Sequence, residues 1–155
     1  MSSPVGPLLI GVSENGLAAL EFDRGKLSSK YDWMESVERT ALYAQELREY
    51  FAGTRQTFSF PLDLRGTDFQ LRCWHALLNI PYGHTRSYAE LARAVGCPRG
   101  FRAVGSANHD NPVAIVVPCH RVIGSDGGLG GYGGGLDAKR WLLELEGART
   151  AALAN

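Results

Sequence analysis

Ser87-Tyr88-Ala89-Glu90-Leu91-Ala92-Arg93-Ala94-Val95-Gly96-Cys97-Pro98-Arg99-Gly100-Phe101-Arg102-Ala103-Val104-Gly105-Ser106-Ala107 reads as two short helices with a breaker between them. Ser87 and Glu90 form a capping box, in which hydroxyl and carboxylate each satisfy a backbone N–H at the helix start. Gly96 stops that helix. Pro98 sits at the start of a second one, over about 99–108, that is rich in small residues. Two short helices across a glycine-containing turn make a helix-turn-helix pattern. Spacing alone slightly favours a plain αα-hairpin that touches no nucleic acid. Between Arg86 and His109, Arg86, Arg93, Arg99 and Arg102 stand against the single acid Glu90. Such a patch suits phosphates, although a solvated helical face is the commoner reason for surplus arginine.

Upstream, Thr67-Asp68-Phe69-Gln70 is a second capping box. The helix it opens carries Phe69, Leu71, Trp74, Leu77 and Leu78 and ends near Asn79-Ile80-Pro81. The composition changes near Arg65-Gly66. Before that point, residues 7–22 read as a hairpin about Asn15-Gly16. A helix over roughly 34–52 follows, stopped by Gly53, and Thr57-Phe58-Ser59-Phe60-Pro61-Leu62 resembles a short strand. This unit holds no catalytic cluster and reads as a scaffold.

Downstream, Asn111-Pro112 precedes the apolar run Val113-Ala114-Ile115-Val116-Val117, which reads as a buried strand delivering Pro118-Cys119-His120-Arg121. A thiol attacks only as thiolate, and an imidazole that accepts its proton raises that fraction. Cysteine also packs as a small hydrophobe. Locally, nucleophile and core filler stand even. Eight of the twelve residues from Gly124 to Gly135 are glycine, a composition that demands unusual backbone angles or close approach to a ligand. No phosphate-loop pattern is present. Leu129 and Tyr132 inside the segment point to an anchored loop rather than a free one. Asp137 is placed to cap the last helix, which contains Lys139, Trp141, Leu142 and Leu143 and ends at Glu146-Gly147.

The chain has 155 residues, 45% hydrophobic, with zero formal net charge. That suits one ordinary domain or two small ones and gives no global sign of a nucleic-acid partner. There is no apolar run of membrane-spanning length and no secretory leader, so the expectation is a soluble, cytoplasmic protein. Cys73, Cys97 and Cys119 cannot all pair, and no zinc-ligand spacing occurs. Cys73 and Cys97 read as structural.

Together these pieces resemble the O6-alkylguanine-DNA alkyltransferases, a direct-reversal DNA repair family. Pro118-Cys119-His120-Arg121-Val122-Ile123 is similar to the family's active-site motif, and Asn111-Pro112, Tyr88, Arg102, Tyr132, Lys139 and Leu145-Glu146-Gly147 fall in register. The strong resemblance covers about Asp68 to Gly147. It implies an α+β fold: a small ribonuclease H-like α/β domain over 1–65, a mostly helical helix-turn-helix domain over 66–147 holding the site, and a flexible tail over 148–155.

The resemblance also implies roles. Cys119 takes the alkyl group from guanine O6, or thymine O4, into a thioether, once per molecule. His120 draws its proton through a water, Glu146 orients the imidazole, and Asn111 braces the turn. Tyr88 donates to guanine N3, while Lys139 supports the loop or the thiolate. Backbone at Cys119, Val122, Tyr132 and Gly133 receives the base. Arg102 fills the space left by a flipped nucleotide, with Ala103, Gly105, Ser106, Ala107 and Arg121 on the DNA side. The implied partner is duplex DNA, met through its minor groove without sequence preference, by a monomer with no cofactor. Asn108 and Gly133 depart from residues seen in some relatives. The absence of Cys and His before Cys73 implies no metal.

Overall fold

The computed structural model describes residues 1–25 and 32–153. Its N-terminal domain opens with β1 (Leu8–Ser13) and β2 (Gly16–Phe22), paired antiparallel from Leu8 opposite Phe22 to Ser13 opposite Gly16. Gly16 has a φ of 140°, and a Cβ there would meet the Pro61 carbonyl oxygen at 2.4 Å, so only glycine fits. Leu17 and Leu20 of β2 are fully buried. Helix α1 (Val37–Phe51) starts at Ser36, whose hydroxyl accepts the Arg39 N–H at 3.2 Å. It buries Ala44, Leu47 and Tyr50.

Residues 57–62 do not form the expected strand. Only Leu62 bridges, to Leu17. Pro61 offers no N–H to a ladder, and the apolar side chains are used as rings instead. Phe58 lies 5.5 Å from Tyr50 and 5.3 Å from Phe60, which packs at 4.8 Å on Tyr43.

The C-terminal domain contains α2 (Asp68–Leu78), β3 (Arg86–Ser87), α3 (Tyr88–Ala94), α4 (Phe101–His109), β4 (Val122–Ile123) and α5 (Leu136–Leu145). Both expected capping boxes are present, at Thr67/Gln70 and Ser87/Glu90. Gly96, with φ 80°, turns the chain between α3 and α4. The indole N–H of Trp74 donates to the Ala107 carbonyl at 2.9 Å and fixes α4 against α2. β3 pairs parallel with β4, Arg86 opposite Val122, so the start of α3 lies beside the residues that follow Cys119.

Two further expectations are corrected. The run 113–117 is not a strand: Val113 bridges Leu20, and the chain then turns at Ile115, whose φ is 73°. The run is apolar because it is packed on all sides, a demand that a buried turn shares with a buried strand. Asp137 does not cap the last helix. Gly135, with φ 93°, holds the cap position and Asp137 lies in the first turn, where its charge complements the helix dipole. Residues 148–153 carry contacts back to the C-terminal domain. Ala148 joins a small cluster with Ile123, Leu129 and Leu143, Ala152 and Leu153 cover it, and Arg140 donates to the Ala152 carbonyl at 2.9 Å. Residues 154–155 lie outside the described residues. No helix among the described residues is long and apolar enough to cross a membrane.

Candidate active site

Two tight turns deliver Cys119. The Val116 N–H donates to the Ala114 carbonyl at 2.8 Å around Ile115, and the Cys119 N–H to the Val117 carbonyl at 2.8 Å around Pro118. A positive φ on a β-branched residue costs about 1–3 kcal/mol, so the surroundings must enforce it. They do: Ile115 is 1% exposed, and Ala114 donates to the Leu20 carbonyl of the N-terminal hairpin. Asn111 braces the same turn. Its amide nitrogen donates to the Val117 carbonyl at 2.8 Å and approaches Cys119 Sγ at 3.2 Å, while its oxygen accepts the Val113 N–H at 3.0 Å.

Cys119 begins a single turn of 3-10 helix, and that turn sends successive side chains in different directions. Cys119 lines the cavity, while His120 and Arg121 turn inward. His120 Nε2 lies 2.8 Å from Glu146 Oε1 at the end of α5. Arg121 donates through Nε to Glu146 Oε2 and through Nη2 to Oε1, both at 2.9 Å, and through Nη1 to the Ile80 carbonyl at 2.6 Å. The Tyr50 hydroxyl completes the set, donating to Glu146 Oε1 at 2.6 Å.

The charges follow from these contacts. Burial opposes ionisation of Glu146, but hydrogen bonds and charge from His120 and Arg121 outweigh it and bring its pKa down to about 2. Glu146 is therefore ionised and His120 Nε2 carries the proton it shares with it. His120 Nδ1 is left as a buried lone pair with no hydrogen-bond partner among the described residues. Burial pushes the His120 pKa down, so the ring is neutral near pH 7. Burial also pushes the Cys119 thiol up, against the pull of Asn111 and Lys139. The two neighbours are a neutral thiol and a neutral imidazole near pH 7.

Cys119 lies at the wall of a cavity of about 460 Å³ between α4 and the glycine segment, shared with Tyr88, Phe101, Arg102, Gly105, Asn108, Gly131, Tyr132 and Gly133. A Cβ on Gly105, Gly131 or Gly133 would meet nothing within 4 Å. Nothing among the described residues requires glycine there, and all three line the cavity. The other side of the segment is held down. The Lys139 ammonium, its pKa lowered to about 8 by burial, donates to the Val122 carbonyl at 2.6 Å and the Gly131 carbonyl at 3.2 Å. Phe22 meets Tyr132 edge-on at 5.7 Å, and Arg24 donates to the Gly133 carbonyl.

The structure thus gathers Cys119, His120, Glu146, Asn111, Tyr88, Lys139, Val122, Tyr132 and Gly133 in one place. On α4, Arg102, Ala103 and Ser106 are exposed, and Gly105 is partly so. Two residues expected on the DNA side are buried. Ala107 is 3% exposed and packs into the core, and the Arg121 guanidinium is committed to Glu146 and Ile80. Phe101, Arg24 and Tyr50 also lie at or beside this site, and the sequence reading does not single them out. Phe101 is exposed beside Arg102 and carried a signal, an aromatic opening an arginine-bearing helix. Tyr50 and Arg24 carried none, because each meets its partner across about a hundred residues. No group of three or more His, Cys, Asp or Glu among the described residues is arranged to hold a metal.

The chain is similar to known proteins along most of its length. Residues 1–64 match the model of the 6-O-methylguanine DNA methyltransferase ribonuclease-like domain, and residues 68–148 that of the same family's DNA-binding domain. A methylated-DNA--protein-cysteine methyltransferase of Methanosarcina barkeri is 49% identical over 148 residues, covering 94% of each chain. One from Mycobacterium leprae is 51% identical over 147 residues, covering 94% of this chain and 89% of its own. The crystal structure of Mycobacterium tuberculosis OGT in complex with DNA superposes with a TM-score of 0.89 at 50% identity, over 95% of this chain and 90% of that one. The chain belongs to the 6-O-methylguanine DNA methyltransferase family.

Proposed function

We propose that Cys119 is the acceptor cysteine of this DNA-repair methyltransferase, taking the alkyl group from O6 of guanine, or from O4 of thymine, after the damaged nucleotide leaves the duplex. The observation that carries this reading is the cavity itself. One wall holds a cysteine with a buried imidazole, held by Glu146, beside it in sequence, and the rest is cleared by glycines whose missing side chains would meet nothing among the described residues.

His120 Nδ1 takes the thiol proton through an intervening water, and Glu146 holds the imidazolium that forms. Sγ attacks the alkyl carbon, an S–C bond forms, the C–O6 bond breaks and its electron pair stays on the base. Tyr88, kept protonated by burial and by the nearby cysteine, donates to guanine N3 as charge develops there. The thiol proton held by His120 then passes to the base, which leaves neutral. A thioether has no ready reverse path, so each molecule acts once.

Flipping costs a few kcal/mol, and Arg102 would fill the gap in the stack, a reading supported by its exposure and that of Phe101 beside it. Gly105 supports minor-groove docking: it costs α4 about 1 kcal/mol relative to alanine and removes the Cβ that would hold a sugar-phosphate wall away. Contacts of this kind read no sequence, as search for scattered damage requires.

The test is stoichiometric. A duplex carrying labelled O6-methylguanine in excess should transfer label to a plateau of one per protein. Continued turnover, or equal transfer by Cys119→Ala, contradicts the proposal.

A further inference from the structure

The scaffold domain sends one side chain into the catalytic network. Tyr50 is fully buried on α1, and its hydroxyl donates to Glu146 Oε1 at 2.6 Å. That oxygen also accepts from His120 Nε2 at 2.8 Å and Arg121 Nη2 at 2.9 Å, whereas among the described residues Oε2 takes only Arg121 Nε. Three donors on one carboxylate oxygen compete for the same negative charge. We propose that Tyr50 is a positioning residue for alkyl transfer, its hydroxyl setting how strongly Glu146 holds the His120 imidazole.

Two observations separate this role from packing. The Tyr50 ring is already fixed without its hydroxyl, by Phe51 and Phe58 at 5.5 Å and Tyr82 at 6.2 Å. Glu146 is also already neutralised and aligned by the two-point Arg121 contact, so the hydroxyl is not needed to keep the carboxylate buried. What Tyr50 adds is a neutral donor on the oxygen that faces His120. It drains acceptor strength from Oε1 and leaves the imidazole uncharged in the resting site. Without it, Oε1 pulls harder on Nε2–H and favours the imidazolium before the thiol has given up its proton. The other groups around this network are Arg121 on the cysteine turn, Tyr82 after α2, Tyr132 in the glycine segment, Lys139 on α5, and Cys119 itself. Tyr50→Phe leaves all of them in place.

The consequence rests on the alkyl-transfer reading, but its physical core does not. In Tyr50→Phe the His120 ring should titrate about one pH unit higher by NMR, roughly a tenfold change in proton affinity. The acid limb of the single-turnover transfer rate should move up with it, and the rate above that limb should change little. Placing Tyr50→Phe on Glu146→Gln should add nothing further, since the effect runs through the carboxylate. An unchanged or lowered His120 titration, in a variant whose unfolding stays cooperative, overturns the proposal. Full additivity with Glu146→Gln overturns it as well. Should the unmodified protein transfer no alkyl group, the functional reading falls while the NMR titration still decides the role of Tyr50.

Discussion

His120 Nε2 and Glu146 Oε1 are 2.8 Å apart, both side chains fully buried, and this contact settles which ring nitrogen is free to act as base. With Nε2 held by an ionised carboxylate, Nδ1 is the only lone pair the imidazole can offer. Glu146→Gln keeps the shape but can present its amide N–H to Nε2 and leaves Arg121 unneutralised. Transfer should slow by about 10²–10³-fold, within the range for loss of general base catalysis, as read from single-turnover rates. A change of less than threefold would remove the pair from the mechanism.

Acid should weaken the fold through the same two residues. The folded pKa of Glu146, about 2, lies below its unfolded value, so its stabilisation is complete above about pH 4.5 and is lost as pH falls towards 2. His120 is also depressed in the folded state, so protonation favours the unfolded chain below its ordinary value of 6.5. Both act in one direction. Urea midpoints should fall steadily from pH 6.5 downward, and Glu146→Gln should flatten the lower part of that slope.

Arg121 and Arg102 should separate cleanly. Arg121→Ala strands Glu146 in the core and should cost about 3–5 kcal/mol of stability. Arg102→Ala, on an exposed helix face, should stay within about 0.5 kcal/mol yet reduce transfer from duplex DNA at least tenfold. Equal stability losses in the two variants would contradict the burial of Arg121.

Gly105→Ala tests why α4 contains a glycine. Its Cβ meets nothing within the protein, so alanine should raise stability by up to about 1 kcal/mol and the melting temperature with it. Affinity for duplex DNA should fall at the same time. A variant that is more stable and binds DNA unchanged would show that the cleared space serves no partner.

The capping boxes at Thr67 and Ser87, the turn at Gly96 and the ends of α2 and α3 were legible because each depends on residues within four positions of one another. The turn at Ile115 was not: an apolar run signals burial, and only Leu20, nearly a hundred residues earlier, decides that the chain bends there instead of extending. Cys119 and His120 were conspicuous as neighbours, but their even odds were shifted by resemblance and not by local chemistry. Arg121 was misplaced because a basic residue in a DNA-linked motif reads as a phosphate contact until its buried partner Glu146 is seen. Tyr50 was silent for the same reason in reverse, an ordinary aromatic on an amphipathic helix whose partner lies 96 residues away.

The central claim is that Cys119 receives the alkyl group. Intact-protein mass spectrometry after incubation with an O6-methylguanine duplex, followed by peptide mapping, tests it most directly. The account predicts a gain of one methyl group, on Cys119 alone, with none in Cys119→Ser. A methyl group mapped to Cys73 or Cys97, or no mass gain while the damaged duplex is bound, would contradict it.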